Sequence, residues 1–350
     1  MVTDRHLFAS FAVSLSLVLA GCSAEEPSHK TKKPEKERGM ADERNLPFLG
    51  DVGNPRYNSK YKGKKLTTFA DYLGAARDAL EKNAYYEAYE FARKAASLDD
   101  RSGEAHYIIG VGLCSSAYGD EDEALAELKR AIDLGFEGSN LYEYMAKIYD
   151  GKKEYREAIK ALSRGIELRP TDLGLYGERA AMYTLTGDMK QAEKDLTKRI
   201  ELSDAKRSGS LLSRGRFYEG QKRYEEALAD YSAAVEDGDR ETDELRLRVR
   251  VLIALGRNKE ALKDLDEIIE RNPNDDDSIR TRGNLYFDMG NLQSALKDFS
   301  TAIQHSPDQD RLAYESRARV YDRLGLKDRA EADRKTAREI TDAPAEKPIY

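Results

Sequence analysis

The amino-acid sequence predicts an all-α protein built from eight helix–turn–helix repeats that stack as a solenoid. Two stretches of 22 residues, which begin at Arg214 and Arg282, are identical at eight positions and lie 68 residues apart. Half of that distance recurs along most of the chain, since a marker alanine returns every 34 to 36 residues. The marker residues are Ala88, Ala124, Ala158, Ala192, Ala227, Ala261, Ala295 and Ala330. This period is typical of stacked helical hairpins, each of which needs its neighbours to cover its apolar face.

Small and turn-forming residues recur at fixed positions inside each unit. The units begin near residues 69, 105, 139, 173, 208, 242, 276 and 311; position 20 is always Ala, and position 8 is Gly or Ala in seven units. Small side chains there let the two helices of a hairpin approach closely. Residues that tolerate positive φ at position 15 predict the reversal between the helices. They are Asn83, Gly119, Gly187, Gly256, Gly290 and Gly325. In the other two units Gly151 and Gly220 stand two positions earlier, and we expect them to serve the reversal.

These positions together resemble the tetratricopeptide repeat (TPR), a family of 34-residue helical hairpins. The unit that begins at Asp276 carries the matching residues Ile279, Gly283, Tyr286, Ala295, Phe299 and Pro307. The resemblance covers residues 67–341 and leaves 342–350 as a tail. It implies a right-handed superhelix whose concave groove, lined by the first helices of the hairpins, binds peptides or helices of partner proteins.

Opposite charges recur on the two helices of the last five units. Position 7 is Arg and position 23 is Asp in each of them, and both positions are eight residues from the turn. They therefore stand level across the hairpin, and we predict that they pair, within a hairpin or between neighbouring hairpins. The pairs are Arg179 with Asp195, Arg214 with Asp230, Arg248 with Asp264, Arg282 with Asp298 and Arg317 with Asp333. The alternative interpretation is a row of arginines that binds a ligand.

Positions 2, 5, 9 and 12 face the groove, according to the same resemblance. In units five to eight they include Arg216, Arg246, Arg250, Arg280, Asn284, Phe287 and Arg319. Because neighbouring helices pack about 10 Å apart, we expect a cationic strip with an aromatic residue beside it. Such a strip suits an acidic or C-terminal peptide segment. The alternative is a solvated surface of mixed charge, since Asp243, Asp277 and Glu315 lie between the arginines.

The N-terminus predicts export and lipidation. The apolar run from Leu7 to Ala20 has the length of a signal-peptide core. It leads into Leu-Ala-Gly-Cys-Ser, which resembles the lipobox of bacterial lipoproteins. The resemblance implies that residues 1–21 are removed and that Cys22 carries acyl chains such as palmitate; ordinary secretory cleavage near Ala20 is the alternative. The charged residues from 22 to 66 are expected to form a tether. Ser23, where Asp would signal retention, fits the periplasmic face of an outer membrane.

Composition and motifs argue against catalysis and against nucleic acid. The net charge is −7, whereas nucleic-acid binding usually needs a basic excess. The four histidines are His6 and His29, which precede the repeats, and His106 and His305, which are far apart in sequence. No metal-ligand spacing, phosphate loop or nucleophile–base order is present. We expect no enzymatic activity, cofactor, metal or small-molecule substrate.

The sequence as a whole favours a membrane-anchored protein–protein interaction scaffold of the bacterial cell envelope. A pilotin-like assembly factor, which escorts the secretin of a pilus or secretion system, is the first alternative. An intracellular TPR adaptor with an accidental signal-like N-terminus is the second. Each hypothesis places partner proteins or peptides on the repeats, and the first two add a lipid anchor.

Overall fold

Sixteen α-helices follow one another in the computed structural model, which describes residue 61 and residues 65–115, 120–204, 207–237 and 242–342. The helices are α1 Phe69–Glu81, α2 Tyr85–Leu98, α3 Gly103–Cys114, α4 Glu121–Asp133, α5 Ser139–Gly151, α6 Tyr155–Leu168, α7 Leu173–Thr186, α8 Met189–Leu202, α9 Ser208–Gly220, α10 Tyr224–Asp237, α11 Thr242–Ala254, α12 Asn258–Arg271, α13 Asp276–Asp288, α14 Leu292–His305, α15 Arg311–Arg323 and α16 Lys327–Asp342.

The helices pack as eight consecutive hairpins. Each odd-numbered first helix packs against the even-numbered second helix that follows it. Each second helix also contacts the first helix of the next hairpin, so the hairpins form a linear array. The all-α solenoid of eight helix–turn–helix repeats is thereby confirmed, and the right-handed superhelical twist stays a prediction.

The turn inside a hairpin needs one residue with a left-handed backbone. Asn83 has φ 56°, and Gly187, Gly256, Gly290 and Gly325 have φ between 71° and 84°, all at position 15 as predicted. Gly119 lies outside the described residues.

The expectation for Gly151 and Gly220 is wrong. Both residues end a helix, and Lys153 and Lys222, which occupy position 15, take φ values of 60° and 61° instead. The reversal keeps its place in the repeat even where a residue with a Cβ must adopt the less favourable conformation.

Close contact inside the fifth and seventh hairpins depends on the glycine at position 8. In α9, a Cβ added to Gly215 would lie 2.5 Å from the Tyr231 ring of α10. In α13, a Cβ on Gly283 would lie 2.8 Å from the Phe299 ring. Tyr231 and Phe299 are almost wholly buried. The aromatic ring therefore fills the space that the missing side chain leaves.

This rule does not hold in every unit. A Cβ on Gly112 would lie 2.6 Å from Tyr89 of the preceding hairpin, and the sixth hairpin carries Val249 at position 8.

The buried core divides near the junction of the fourth and fifth hairpins. One large cluster runs from Leu73 to Met182, and a second runs from Tyr218 to Leu285. A small cluster around Leu196, against which Phe217 packs, joins the two regions. The hydrophobic core is thus divided at the α8–α9 junction, and it is divided again in the C-terminal half, where two further clusters contain Ile279 and Phe299.

No helix in the described part of the chain is long and apolar enough to span a bilayer. The apolar run from Leu7 to Ala20, the predicted lipidation site Cys22, most of the predicted tether and residues 343–350 lie outside the described residues.

Gly215→Ala is expected to lower the free energy of unfolding by about 2 kcal/mol, because the methyl group would overpack the contact with Tyr231. Gly209→Ala in the same helix is the matched control. Nothing lies within 4 Å of a Cβ at Gly209, and alanine favours a helix, so this variant should keep or slightly raise the stability. Urea unfolding followed by circular dichroism measures both. Equal stabilities of the two variants would contradict the proposed close contact.

Candidate functional site

The first helices of the last four hairpins contact one another and present the predicted groove residues. Arg250 of α11 donates two hydrogen bonds to Glu219 of α9, at 2.5 and 2.7 Å. Ser316 of α15 lies 3.5 Å from the side-chain oxygen of Asn284 in α13. All seven predicted residues are exposed or half-buried. We call the surface that they form the first-helix face; it holds Arg216, Arg246, Arg250, Arg280, Asn284, Phe287 and Arg319.

Three arginines of the first-helix face are held by carboxylates of the same chain. Arg246 bonds to Asp275 at 2.7 Å, and Arg280 bonds to Asp310 at 2.6 Å. Each of these aspartates also caps the first helix of the following hairpin. Arg250 is neutralised by Glu219 as described above. The expected continuous cationic strip is therefore interrupted, because these carboxylates neutralise its middle part.

Two arginines near the C-terminal end of this surface are not neutralised by a carboxylate of the described residues. The guanidinium carbons of Arg319 and Arg323 lie 4.7 and 5.5 Å from the ring centroid of Phe287. Neither arginine forms an ion pair with a described residue. We call Asn284, Phe287, Arg319 and Arg323 the C-terminal patch. Arg216, which is exposed, likewise has no carboxylate partner among the described residues.

The difference between Arg250 and Arg319 has a simple cause. Both occupy position 9 of their units, and both meet position 12 of the preceding hairpin. At that position Arg250 meets Glu219, whereas Arg319 meets Phe287. An aromatic ring attracts a cation through its quadrupole but neutralises no charge. Arg319 consequently remains available to an external carboxylate.

The five predicted Arg–Asp partners meet within their own hairpins. Each arginine donates from Nε and one Nη to both carboxylate oxygens of its aspartate, at 2.7 to 2.9 Å. The aspartates are buried, and the arginine side chains are 17% to 21% exposed. The hydrogen bonds to Asp264 raise the pKa of Arg248 above its ordinary value. We call these pairs the Arg–Asp ladder: Arg179–Asp195, Arg214–Asp230, Arg248–Asp264, Arg282–Asp298 and Arg317–Asp333.

Four arginines of the ladder also reach the preceding hairpin, a contact that the sequence interpretation missed. Their Nη1 groups donate to a polar side chain at position 25 of the previous second helix. The acceptors are Ser163, Thr197, Asp266 and Ser300, at 2.7 to 3.3 Å. The recurrence of an oxygen-bearing residue at that position was the available signal. The ladder thus holds each hairpin and its junction with the previous one, which favours a structural role over a ligand-binding row.

The ladder predicts strong energetic coupling between its members. Arg248→Met and Asp264→Asn should each lower the free energy of unfolding by about 3 kcal/mol, because each leaves a desolvated charge without a partner. The double variant should cost little more than either single one, giving a coupling of about 2 kcal/mol. The exposed pair Arg257–Glu260 is the control, with an expected coupling below about 1 kcal/mol. Additive losses at Arg248 and Asp264 would contradict the pairing.

A half-buried carboxylate without a partner lies on α7. Glu178 forms no side-chain hydrogen bond or ion pair with a described residue. Burial, followed by the nearby charge of Glu143, raises the pKa of Glu178 to about 7. Lys147 opposes this shift, but it is already bonded to Glu143 at 2.9 Å. Glu178 therefore takes up a proton near neutral pH.

The raised pKa of Glu178 predicts a stability that depends on pH. The favourable contribution is complete below the ordinary pKa of 4.5 and is lost as the pH rises through about 7. Glu178→Gln stays uncharged, so it should exceed the original protein in stability by about 2 kcal/mol at pH 8.5, after allowance for partial exposure. The advantage should fade towards pH 5. Urea unfolding across this range measures it, with the exposed Glu157→Gln as control; a constant difference would contradict the shift.

The described histidines have structural partners rather than metal-ligand neighbours. His106 Nδ1 lies 2.5 Å from Glu127, and His305 Nδ1 lies 2.7 Å from Asp276. No group of three or more potential metal ligands occurs among the residues that the structure describes. His6 and His29 lie outside them.

Comparison with known proteins supports the repeat class. Family models described as "Tetratricopeptide repeat" match residues 280–344, 140–172 and 208–236. The fold is an all-α solenoid of TPR type, and a TPR fold favours a protein–protein interaction scaffold. No curated protein matches the chain.

Several solved structures are similar to this chain. The C-terminal part of a TPR repeat-containing protein from Cytophaga hutchinsonii has 17% identity, covers 70% of this chain and 98% of its own, and gives a TM-score of 0.61. YrrB, described as a TPR protein with an unusual peptide-binding site, has 23% identity, covers 53% and 95%, and gives 0.43. PilF of Pseudomonas aeruginosa has 17% identity, covers 59% and 92%, and gives 0.45. The Cytophaga structure supports the fold alone.

Proposed function

We propose that this protein is a lipid-anchored scaffold of the bacterial cell envelope that binds acidic segments of partner proteins on its first-helix face. The TPR solenoid supports the general role, since TPR proteins bind peptides or proteins. The protein acts by binding, without a cofactor. The C-terminal patch supports the acidic character of the bound segment.

The single observation that carries this choice is that Arg319 and Arg323 have no carboxylate partner among the described residues. Most arginines near them are satisfied by their own chain, as Arg280 is by Asp310. Arg319 and Arg323 instead flank the ring of Phe287, with Asn284 one helical turn away on α13. A guanidinium offers paired N–H donors that match a carboxylate. The ring adds an apolar contact for the stem of the bound side chain, and Asn284 adds a donor and an acceptor.

Binding should therefore depend on the two free guanidinium groups. Arg319→Ala together with Arg323→Ala is expected to weaken a labelled Glu-rich peptide by about tenfold or more, since two charge-assisted hydrogen-bond sites are lost. Fluorescence anisotropy measures the affinity, and the same peptide with Gln for Glu tests the need for charge. The matched control is Arg271→Ala with Arg338→Ala, which removes two exposed cations from the second helices α12 and α16.

A variant that leaves both arginines in place makes the test sharper. Phe287→Glu recreates at Arg319 the pairing that Glu219 gives Arg250. It should weaken acidic-peptide binding at least as much as the double alanine variant does, while both arginines remain. Binding that is unchanged in Phe287→Glu, or equally weakened in the control pair, would contradict the patch as the binding site.

The membrane anchor belongs to the same proposal and has a separate test. Cys22 would carry the acyl chains, and two chains suffice for stable anchoring. Metabolic labelling with a palmitate analogue, lost in Cys22→Ala, would support it. Proximity labelling from the envelope should then recover cell-wall enzymes or proteases. Loss of pili upon deletion of the gene, with normal cell-wall turnover, would instead support the assembly-factor hypothesis. Unlabelled protein in the cytoplasm would support the intracellular adaptor.

A further inference from the structure

Arg199 occupies a place where the repeat otherwise carries a compact or purely apolar residue. It stands at position 27 of α8, and the corresponding residues in other hairpins include Ala95, Ala131, Ala234 and Ala302. Room for it comes from Gly177 in α7, because a Cβ there would lie 3.0 Å from Nη1 and 3.4 Å from Cζ of Arg199. The arginine and the glycine thus form one structural unit at the junction of the fourth and fifth hairpins.

The guanidinium of Arg199 has no carboxylate partner among the described residues. Its Nη1 donates to the hydroxyl of Ser213 in α9 at 3.1 Å, and that hydroxyl donates in turn to the carbonyl of Gly209 at 2.8 Å. Its Nε is buried and has no acceptor in the described part of the chain. Burial lowers the pKa of Arg199 below its ordinary value, the opposite of the ladder arginines. An arriving anion cannot reach the buried Nε, but it can reach Nη2, which forms no hydrogen bond with a described residue. A partly desolvated cation with such an unused donor gains more from an anion than a solvated one does.

The surroundings of Arg199 leave a backbone free to approach. Gly177 occupies position 5 of α7, the position that Arg246 and Arg280 hold on the first-helix face, so Arg199 reaches the corresponding side of α7 from the second helix. The neighbouring groove positions 2 and 9 of the same hairpin are Gly174 and Ala181. In the next hairpin, nothing lies within 4 Å of a Cβ on Gly209. Small residues on both sides of a cation permit close contact with an extended segment.

We propose that Arg199 forms an anion-binding site on the first-helix face, between the fourth and fifth hairpins, that receives a carboxylate of the bound protein segment. This inference rests on the proposed function, since it assigns a second contact to the same ligand class. The two sites differ in origin: the C-terminal patch lies on neighbouring first helices, whereas Arg199 extends from a second helix through the gap left by Gly177. A segment that spans the fifth to eighth hairpins would contact both.

If Arg199 had only a structural role, the effects of its substitution on stability and on peptide affinity would differ from those of a binding residue. Methionine has a similar length and no charge, so Arg199→Met would remove an unsatisfied buried donor. Stability in urea should therefore stay equal or rise. A structural arginine that does not bind ligand would leave peptide affinity unchanged in that variant. Affinity and stability together separate the two roles.

The test measures both quantities on the whole protein. Arg199→Met is expected to lower the affinity for the Glu-rich peptide about tenfold, while the stability of the protein stays unchanged or rises. Arg164→Met is the control, since it removes an exposed cation of α6 that is paired with Glu137 and Glu167. Gly177→Ala keeps the charge but displaces the guanidinium, and it should weaken binding by a smaller factor. Comparing an amidated Glu-rich peptide with a Gln peptide that has a free C-terminus identifies which carboxylate Arg199 holds.

The outcomes distinguish this inference from the proposed function. If Arg319→Ala with Arg323→Ala weakens binding about tenfold or more and neither Arg199→Met nor Gly177→Ala alters it, the C-terminal patch stands and the Arg199 site is overturned. If Arg199→Met weakens binding and the patch variant does not, the Arg199 site stands and the patch is wrong. If no acidic peptide binds the original protein, both are overturned.

Discussion

In the fifth and seventh hairpins, the contact between a glycine of the first helix and an aromatic residue of the second holds the two helices at one fixed separation. Gly215 against Tyr231 and Gly283 against Phe299 leave no space for another methyl group, so the two helices cannot slide without creating a void or a clash. Because positions 7 and 23 are equally far from the turn, their side chains arrive level in each of the last five hairpins. The Arg–Asp ladder depends on that register, since both hydrogen bonds of each pair need it.

The ladder in turn compensates for a core that is thin between hairpins. Aspartates such as Asp230 and Asp298 are buried next to aromatic rings, where an unpaired charge would be costly. The arginine that neutralises each aspartate also reaches position 25 of the previous hairpin in four of five cases. One side chain therefore joins three helices. The α8–α9 junction, where the hydrophobic clusters divide, has this link through Arg214 and Thr197.

Sequence periodicity predicts what lies inside a repeat much better than what lies between repeats. The helices, the marker alanines and the level Arg and Asp positions follow from a 34-residue period because neighbours in one hairpin are fixed by the turn. Lys153 was not predictable as a left-handed residue, since residue preference favours glycine and only the required place of the turn overrides it. The neutralisation of Arg246 by Asp275 was not predictable either, because the contact depends on how neighbouring hairpins pack against each other.

Residue type at a groove position consequently does not decide whether a cation is available to a partner; the residue that faces it from the adjacent hairpin does. Arg250 and Arg319 occupy the same position, yet Glu219 neutralises one and Phe287 only stacks with the other. The availability of Arg199, which lies on a second helix, is likewise decided by its neighbour. The residue beside its guanidinium is Gly177 rather than a carboxylate. The chain thus confines uncompensated positive charge to a few places on an otherwise neutralised face. We therefore expect a partner segment to be selected there by where its carboxylates fall along the array, since attraction to the face as a whole is weak.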